Sequence, residues 1–463
     1  MNKLCDMSYA ELNDKLLNDF YNVFFFEKWK NCDSSNGFDL ELIFSPKCNL
    51  KCEYCYINKN NENIYFQTPW NEEKTLHNVD VLLNWLYKNS YNPTLHIFSG
   101  ELFAQESGWK LIEKILHFYE THNDKPVPDK IIIPTNATFL RNEELQKRMD
   151  KICSDFGEIG IDLLLSFSFD GLHADSITRK YKADIDIPLK QDIDQHYYDM
   201  LFAYMRDHGF LPHPMISPEN VHVWKDNFLW FAEMHEKYNM PLNTLYLLEV
   251  RNANWTPTTI GYFREFLQFL MDYWWERVDH EPDRFISYMC DRNSRKGISG
   301  GNNILRNNFY TGGASCQSSC VISNQMMVRM SDLALFPCHR LLYPELQMAH
   351  FEKQEDGDLI LKNDSIELNI GIHSFSPSSL PLCTTCMLNH MCVTPCYGSN
   401  YEITKDMFTP IPSVCQLEYV KVKTILEKLI EYDAYELFLD RTESPLALKI
   451  DQFVNSEIKE KKE

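Results

Sequence analysis

The stretch that decides the fold is Cys48-Asn-Leu-Lys-Cys52-Glu-Tyr-Cys55, in which three cysteines follow a predicted strand with the spacing C-x3-C-x2-C. Cysteine thiolates bind iron–sulfur clusters, and a [4Fe–4S] cluster normally takes four of them. Three thiolates on one short loop would leave one iron without a protein ligand, and an open coordination position is where a metal centre does chemistry. A zinc knuckle and a disulfide pair are the alternative interpretations of the same residues.

The composition limits the classes of partner. The chain has 463 residues, 44% hydrophobic content and a formal charge of −21, which indicates two or three domains with ample core. Nucleic acid and anionic membranes are disfavoured, because binding them needs clustered Lys and Arg. The first residues carry no long apolar segment typical of a secretory signal, so we expect a cytoplasmic protein. Fifteen cysteines in clustered spacings therefore favour metal ligation over disulfides.

From residue 38 onward, strand and helix signals alternate along the chain. The predicted strands are Phe38–Phe44, Thr94–Phe98, Ile131–Pro134, Leu163–Phe169, Met215–Ser217 and Thr244–Val250, and helices are predicted at 72–88, 196–208 and 222–237. Repeated βα units imply parallel strands joined by right-handed crossovers, with functional residues at the carboxyl ends of the strands. The cysteine loop, Ser99-Gly100-Glu101, Asn136 and Asp170-Gly171 all follow predicted strands. We therefore expect one site at that edge of the sheet.

The cysteine loop, with Tyr54 before its third cysteine, resembles the radical S-adenosylmethionine (SAM) superfamily. The resemblance implies an α/β fold with a partial (β/α)6 TIM-like barrel. It also implies that Cys48, Cys52 and Cys55 hold a [4Fe–4S] cluster, whose open iron binds the amino and carboxylate groups of SAM. An electron from that cluster would split SAM and release a 5′-deoxyadenosyl radical.

The same resemblance assigns the SAM pocket. Ser99-Gly100-Glu101 is similar to the family's Gly-Gly-Glu turn, which contacts the SAM amino group. Ser168-Phe-Asp170-Gly171, followed by Arg179, is similar to the family's Ser-Leu-Asp-Gly…Arg segment. The resemblance implies that Ser168 meets the ribose or carboxylate of SAM and that Arg179 pairs with the SAM carboxylate. Leu248 would pack on the adenine. Arg179 as a charge at a helix start, Leu248 as ordinary core and Asn136 as a turn residue remain alternatives.

Eight further cysteines lie in the last third of the chain: Cys316, Cys320, Cys338, Cys383, Cys386, Cys392, Cys396 and Cys415. Two sets of four suit two fully ligated [4Fe–4S] clusters or two zinc sites. The pattern C-x2-C-x5-C-x3-C…C, with Pro337-Cys338-His339 upstream, resembles the SPASM domain of radical SAM enzymes. The resemblance implies two auxiliary clusters, the first held by Cys316, Cys320, Cys338 and Cys396 and the second by Cys383, Cys386, Cys392 and Cys415. The Cys316-x3-Cys320 gap is shorter than the family's, and an open iron would result if one of these two is not a ligand.

The expected domains are a helical N-terminal lead-in at 1–37, a radical SAM core at 38–250 and a helical bridge at 251–310. A small cysteine-rich SPASM domain with the auxiliary clusters at 311–415 and a C-terminal helix at 416–463 complete the chain.

The expected function is that of a radical SAM peptide-modifying enzyme, a ribosomal peptide maturase that abstracts a hydrogen atom from a peptide residue. The product would be a crosslink, a thioether or an epimerised residue. SAM and three [4Fe–4S] clusters are the expected cofactors, and the partners are a peptide or protein substrate and an electron donor such as flavodoxin or ferredoxin. The alternatives are an anaerobic sulfatase-type formylglycine maturase and a non-catalytic zinc-rich binding protein.

Two residues are candidates for a direct part in the chemistry. His339 stands where the resemblance to sulfatase-maturing enzymes implies an Asp, which argues against that activity. It could act as a base, since the ordinary pKa of His suits neutral pH, or as a hydrogen-bond donor beside the cluster. Cys290 is the candidate hydrogen-atom donor. Cys5, Cys32 and Cys153 are expected to be incidental thiols.

Overall fold

The structure is a computed structural model. It describes residues 7–30, 39–59, 70–122, 124–190, 194–242, 245–290, 322, 325–374, 380–389, 391–392, 396–442 and 444–459. The Cys5, Cys32, Cys316 and Cys320 predictions lie outside these residues.

A large mixed sheet organises the chain. The strands are β1 Asp39–Ile43, β2 Leu50–Cys52, β3 Thr94–Phe98, β4 Lys130–Thr135, β5 Asp162–Phe167, β6 Arg179–Tyr181, β7 Leu211–Pro212, β8 Met215–Ile216, β9 Leu248–Glu249, β10 Gln325–Arg329, β11 Ala334–Phe336, β12 Ala349–Lys353 and β13 Leu359–Asn363. Nine of them form one sheet in the order β13-β12-β11-β10-β1-β3-β4-β5-β7. The six from β10 to β7 are parallel, whereas β10 to β13 form an antiparallel meander. The predicted α/β class is confirmed.

Two smaller strand pairs adjoin this sheet. β8 and β9 pair in parallel just after β7, and β2, within the cysteine loop, pairs antiparallel with β6. The predicted strand at Thr244–Val250 is wrong in extent, because within the described residues 245–250 the strand covers Leu248–Glu249 alone. β10 to β13 were not expected from the sequence. They come from the cysteine-rich region and extend the main sheet on the far side of β1.

The helices are α1 Tyr9–Tyr21, α2 Glu27–Lys30, α3 Tyr56–Lys59, α4 Glu72–Asn89, α5 Glu106–Thr121, α6 Glu143–Glu158, α7 Asp175–Thr178, α8 Gln195–His208, α9 Trp224–Lys237, α10 Pro257–Arg277, α11 Pro282–Cys290, α12 Ile366–Ser374, α13 Tyr397–Thr404, α14 Pro412–Glu431, α15 Tyr435–Asp440 and α16 Ser444–Val454. The three helices predicted between the strands are confirmed as α4, α8 and α9. The single C-terminal helix is wrong: α14 stops at Glu431, just before Asp433 takes a φ of 53°, and α15 and α16 follow. No helix in the described ranges combines the length and the apolar character that a bilayer span requires.

Alternation along the strands separates the two faces of the sheet. Leu95 and Ile97 of β3, like Ile131 and Ile133 of β4, are completely buried, as are the apolar positions of α6 that pack in the same core. The intervening strand residues are half-buried: His96, Phe98, Ile132, Pro134, Leu164 and Ser166. Successive side chains in a strand point to opposite faces, so these half-buried residues share one face, called here the open face. The cysteine loop lies at its carboxyl edge.

Candidate active site

The Ser99-Gly100-Glu101 turn packs against the chain just before Cys48. The Gly100 amide donates to the Ser45 carbonyl at 2.7 Å, and the Glu101 amide donates to the Lys47 carbonyl at 2.8 Å. The Ser99 hydroxyl donates to the same Ser45 carbonyl at 2.9 Å. The turn after β3 thus fixes the start of the cysteine loop, whose three thiols at Cys48, Cys52 and Cys55 are partly buried.

Gln105, which was not predicted from the sequence, also supports the contact between this turn and the residues before Cys48. Its side-chain carbonyl accepts a hydrogen bond from the Ser45 hydroxyl at 2.8 Å. Its amide nitrogen donates to the Lys47 carbonyl at 3.1 Å and to the Glu101 carbonyl at 2.7 Å. The side chain is fully buried, so these bonds satisfy backbone groups that water cannot reach.

The Glu101 carboxylate is hydrogen-bonded to other residues of the protein. Its carboxylate accepts hydrogen bonds from the Asn136 amide at 2.6 Å, the Thr135 hydroxyl at 2.8 Å and the Phe103 amide at 3.1 Å. Burial raises the pKa of this carboxyl, and the hydrogen bonds oppose that rise. Glu101 therefore ties the end of β3 to the end of β4, and its contact with a SAM amino group stays a prediction.

Asn136 extends these contacts to the cysteine loop. Its side-chain nitrogen donates to the Asn49 side-chain carbonyl at 2.8 Å, and the Asn49 nitrogen donates to the Thr138 hydroxyl at 3.0 Å. The Asn136 side-chain carbonyl accepts from the Thr138 amide at 3.1 Å. Asn136 is thus both a turn residue and a support for the residue that follows Cys48.

A second network holds the other end of the loop. The Tyr54 hydroxyl contacts both carboxylate oxygens of Asp170 at 2.9 Å and accepts a hydrogen bond from the Arg179 guanidinium at 2.8 Å. Arg179 also lies 3.5 Å from a carboxylate oxygen of Asp175. The pairing of β2 with β6 sets Arg179 opposite Cys52. Arg179 is buried among protein partners, so its interpretation as a solvated charge at a helix start is wrong.

Burial keeps the buried carboxyl of this network and the loop thiols in their neutral forms more readily than in water. Burial raises the pKa of Asp170, while Arg179 opposes the rise. Burial likewise raises the pKa of Cys52 to about 12, against the pull of Arg179, and raises the pKa of Cys48 well above its ordinary value. Such thiols ionise when a bound metal supplies positive charge. Three adjacent cysteines on one loop are the donor set that an iron–sulfur cluster takes.

The remaining predicted pocket residues follow β5 or lie in the separate β8–β9 pair. Ser168 directly follows β5 and is half-buried, and its backbone amide donates to the Thr135 carbonyl at 2.7 Å. Leu248 is half-buried in β9, opposite Met215 of β8. Ser99, Gly100 and Arg179 thus contact the cysteine loop or its neighbours, and the places of Ser168 and Leu248 in a SAM pocket stay predictions.

The C-terminal cysteines fall into two neighbourhoods around charged groups. Burial disfavours the thiolate of Cys396, but Arg340, Arg251 and a hydrogen bond from Ser399 more than offset it and lower its pKa. Arg340 interacts electrostatically with Cys338 as well as Cys396, and forms an ion pair with Glu402.

Cys415 belongs to the other neighbourhood. Burial, with Cys383 and Cys386 nearby, raises the pKa of Cys415 to about 11. Cys392 lies near Arg251, as Cys396 does. In the described part of the chain, no three Cys, His, Asp or Glu side chains converge on a single metal ion.

The two candidates for direct chemistry lie in different places. The His339 ring stacks on Phe98 with centroids 4.4 Å apart, and its Nδ1 lies 3.3 Å from a carboxylate oxygen of Glu41. His339 therefore adjoins the open face of the sheet. Cys290 ends α11, and its side chain is not among those described.

Sequence comparison with known proteins matches a part of the chain. No protein-family model matches the chain. An uncharacterized protein of Methanocaldococcus jannaschii is 32% identical over 144 residues, which span 31% of this chain and 42% of that protein. The chain thus matches less than half the length of that relative.

Two solved structures are similar along most of the chain. The structure of hexahistidine-tagged anSMEcpe with bound AdoMet has a TM-score of 0.58 at 16% identity, covering 89% of this chain and 98% of that one. Native anSMEcpe with AdoMet and the Cp18Cys peptide gives a TM-score of 0.53 at 16% identity, covering 86% and 99%. anSMEcpe is an anaerobic sulfatase-maturating enzyme of the radical SAM class. The resemblance to radical SAM enzymes drawn from the sequence is therefore confirmed at the level of the fold.

Proposed function

We propose that this chain is a radical SAM enzyme that modifies a peptide or protein. The observation that carries the proposal is the fixation of the cysteine loop at both ends. Ser99, Gly100 and Gln105 hold the residues before Cys48, while Asp170 and Arg179 hold Tyr54 beside Cys55. A structural zinc site would need four closed ligands, whereas this loop offers three.

Cys48, Cys52 and Cys55 would hold a [4Fe–4S] cluster. When bound, the cluster and SAM supply an electron and a 5′-deoxyadenosyl radical, which is the hard part of the chemistry. The protein holds the loop rigid, because the Asn49–Asn136 and Tyr54–Asp170 bonds join it to separate strand ends. Arg179 keeps positive charge at Cys52 and offers guanidinium donors to a carboxylate.

The finer architecture is also a proposal. A partial (β/α)6 barrel would consist of β1, β3, β4, β5, the β7–β8 segment and β9, and a SPASM domain would hold two further [4Fe–4S] clusters. The grouping of Cys338 with Cys396 around Arg340, and of Cys415 with Cys383 and Cys386, supports part of the predicted ligand sets. The proximity of Cys392 to Arg251, which also acts on Cys396, does not distinguish between the two sets. Full ligation would suit transfer of an electron from the substrate radical out of the site, while a donor such as flavodoxin or ferredoxin would reduce the SAM-binding cluster.

A formylglycine maturase of the sulfatase type is the second candidate. The likeness in fold to anSMEcpe favours it. His339 in place of the expected Asp favours another peptide modification, such as a crosslink, thioether or epimerised residue. His339 touches Glu41 and Phe98 on the open face, a position from which it could contact a bound peptide.

Metal analysis and product analysis test the proposal. Anaerobically purified protein should contain about twelve irons with matching sulfide, whereas a zinc-rich binding protein would contain about three zincs and no sulfide. With SAM and a reductant it should release deoxyadenosine. The triple variant C48A/C52A/C55A should release none, and deoxyadenosine from that variant would refute the cluster assignment.

The substrate class needs a separate experiment. The reading frames beside this gene give the candidate substrates: a short peptide supports peptide maturation, and a sulfatase supports the alternative. Each candidate is incubated with the reduced enzyme and SAM and analysed by mass spectrometry. Formylglycine at a Cys or Ser identifies the sulfatase-type reaction, while a crosslink, thioether or epimerised residue identifies the other.

A further inference from the structure

His213 occupies the bend where the chain leaves the main sheet. β7 pairs with β5 with Ser166 opposite Leu211 and Phe167 opposite Pro212. The His213 amide donates to the Phe167 carbonyl at 2.8 Å, which continues that register by one residue. His213 is therefore level with Ser168 and, by the alternation of strand residues, on the same open face.

The ring of His213 has an unsatisfied polar atom. Its Nε2 is buried and has no hydrogen-bond partner among the described residues. Buried polar atoms in proteins are almost always paired, and an exception indicates a ligand or an ordered water. The ring of Tyr246 lies 6.3 Å from the His213 ring in an edge-on arrangement, and Tyr246 precedes Leu248 of β9 by two residues. His213 thus lies between Ser168 of one neighbouring segment and Tyr246 of the other, two residues before Leu248.

Three charged groups of the pocket already have protein partners. Glu101 accepts three hydrogen bonds, Asp170 is held by Tyr54, Thr178 and the Met215 amide, and Arg179 is bound to Tyr54. Among these groups His213 alone combines burial with an unused ring nitrogen. Burial and the nearby Arg179 lower the pKa of His213, so the imidazole is neutral at pH 7.

We propose that His213 is a further cofactor-contacting residue whose Nε2 forms a hydrogen bond with a ribose hydroxyl of SAM. This inference rests on the proposed function, since it requires that SAM binds at the cysteine loop. The choice of the ribose follows from charge. The amino and carboxylate groups of SAM are charged and are better matched by ionised partners such as Arg179. A ribose hydroxyl is neutral and both donates and accepts, so it satisfies either tautomer of a neutral imidazole.

Binding of S-adenosylhomocysteine, which the enzyme cannot cleave to a radical, tests the contact without relying on turnover. The dissociation constant is measured anaerobically by equilibrium dialysis on the iron-loaded enzyme. His213→Ala should weaken binding about tenfold, the cost of leaving a buried polar partner unpaired. His213→Gln, which keeps a neutral donor and acceptor, should recover part of that loss. Unchanged affinity in His213→Ala overturns the proposal.

The atom contacted is identified with 2′-deoxy and 3′-deoxy analogues of S-adenosylhomocysteine. If His213 bonds one of these hydroxyls, removing that hydroxyl weakens binding to the wild type but does not weaken binding to His213→Ala further. Losses that add for both analogues overturn the ribose assignment. His96→Ala is the matched control, because His96 lies on the same face but is engaged by Asp39 at 3.2 Å, and wild-type affinity is expected.

The two proposals fail in different ways. A wild-type enzyme that neither binds S-adenosylhomocysteine nor releases deoxyadenosine from SAM refutes the proposed function and, with it, the role of His213. A wild-type enzyme that does both, with His213→Ala binding equally well, refutes the role of His213 alone. If His213→Ala does not fold, His213→Gln and the deoxy analogues on the wild type decide: wild-type binding unaffected by loss of either hydroxyl overturns the contact.

Discussion

Gly100 packs so closely on Lys47 that a Cβ at residue 100 would lie 2.2 Å from the Lys47 carbonyl oxygen. Real Cβ atoms do not approach backbone oxygens to that distance. The Lys47 carbonyl also accepts the Glu101 amide and the Gln105 side chain, so it cannot move away without breaking both bonds. Since Cys48 follows at once, the position of the first thiol depends on the absence of a side chain at residue 100.

Gly100→Ala is therefore expected to displace the cysteine loop. Overpacking of a tight contact typically costs about 1–3 kcal/mol of unfolding free energy. We expect a loss of this size in chemical denaturation, together with a lower content of the SAM-binding cluster by iron analysis. Gly157→Ala in α6 is the control, because no atom lies within 4 Å of its added Cβ. It should be neutral or stabilise by up to about 1 kcal/mol. Equal effects of the two changes would contradict the steric argument.

Tyr54→Phe tests the other end of the loop. The ring remains, but Asp170 loses a donor and Arg179 loses an acceptor in a buried site. Leaving such groups unpaired costs about 1–3 kcal/mol. We expect this loss in the free energy of unfolding and weaker binding of S-adenosylhomocysteine. Tyr9→Phe, at a side chain that is 74% exposed, should change neither quantity. Wild-type stability in Tyr54→Phe would mean that the loop does not depend on this network.

Lys421 joins α14 to β9 through a buried ion cluster. Its ammonium lies 2.7 Å from Glu249 at the end of β9 and 3.1 Å from Glu418 in α14, and all three side chains are almost completely buried. Removing one member of a buried ion pair typically costs about 3–5 kcal/mol, because the remaining charges have no partner.

Lys421→Met should therefore lower the free energy of unfolding by about 3–5 kcal/mol. Lys15→Met removes an exposed pair with Asp19 and should cost no more than about 1 kcal/mol. The double variant K421M/E249Q removes one carboxylate and leaves Glu418 beside Arg251, so it should regain part of the loss. A single variant as stable as wild type would show that the cluster contributes nothing net.

The sequence was sufficient to predict the strands with clear alternation and the edge at which the site forms. β1, β3, β4 and β5 lie within two residues of their predicted positions, because apolar alternation and a flanking Pro or Gly mark them. Local motifs such as Ser99-Gly100-Glu101 directly follow these strands, so their position at the carboxyl edge of the sheet could be predicted. β10 to β13 lacked a recognisable pattern, since β10 and β11 are buried at every position and show no alternation.

Gln105 and His213 could not be predicted, for a different reason. Each is a single polar residue in an otherwise ordinary stretch, and its meaning comes from residues far away in sequence, such as Lys47 for Gln105 and Ser168 for His213. The sequence likewise could not show that Glu101 and Arg179 are hydrogen-bonded within the protein, because their partners Asn136 and Tyr54 come from distant parts of the chain. Contacts of this kind follow from the folded register.

The buried His235 should lower the free energy of unfolding in mild acid. Its ring is 1% exposed and stands edge-on to Phe202 at 5.5 Å. Burial lowers the pKa of His235 from 6.5 to about 4. The nearby backbone of Pro241 and Met240 opposes this shift in part, although neither ring nitrogen has a hydrogen bond of good geometry. The folded state therefore binds a proton less readily than the unfolded chain. This stability is present above pH 6.5 and is lost as the pH falls towards 4.

Between pH 7 and pH 5, this one group should cost about 2 kcal/mol of unfolding free energy, from 1.36 kcal/mol per pKa unit. His235→Leu cannot take up a proton, so its unfolding free energy should fall by about 2 kcal/mol less than that of the wild type over the same interval. Chemical denaturation at the two pH values measures the difference. His117→Leu, at a side chain that is 76% exposed, serves as the control and should follow the wild type. Parallel pH dependence in His235→Leu and wild type would show that the unfolded chain protonates this residue no more readily than the folded one.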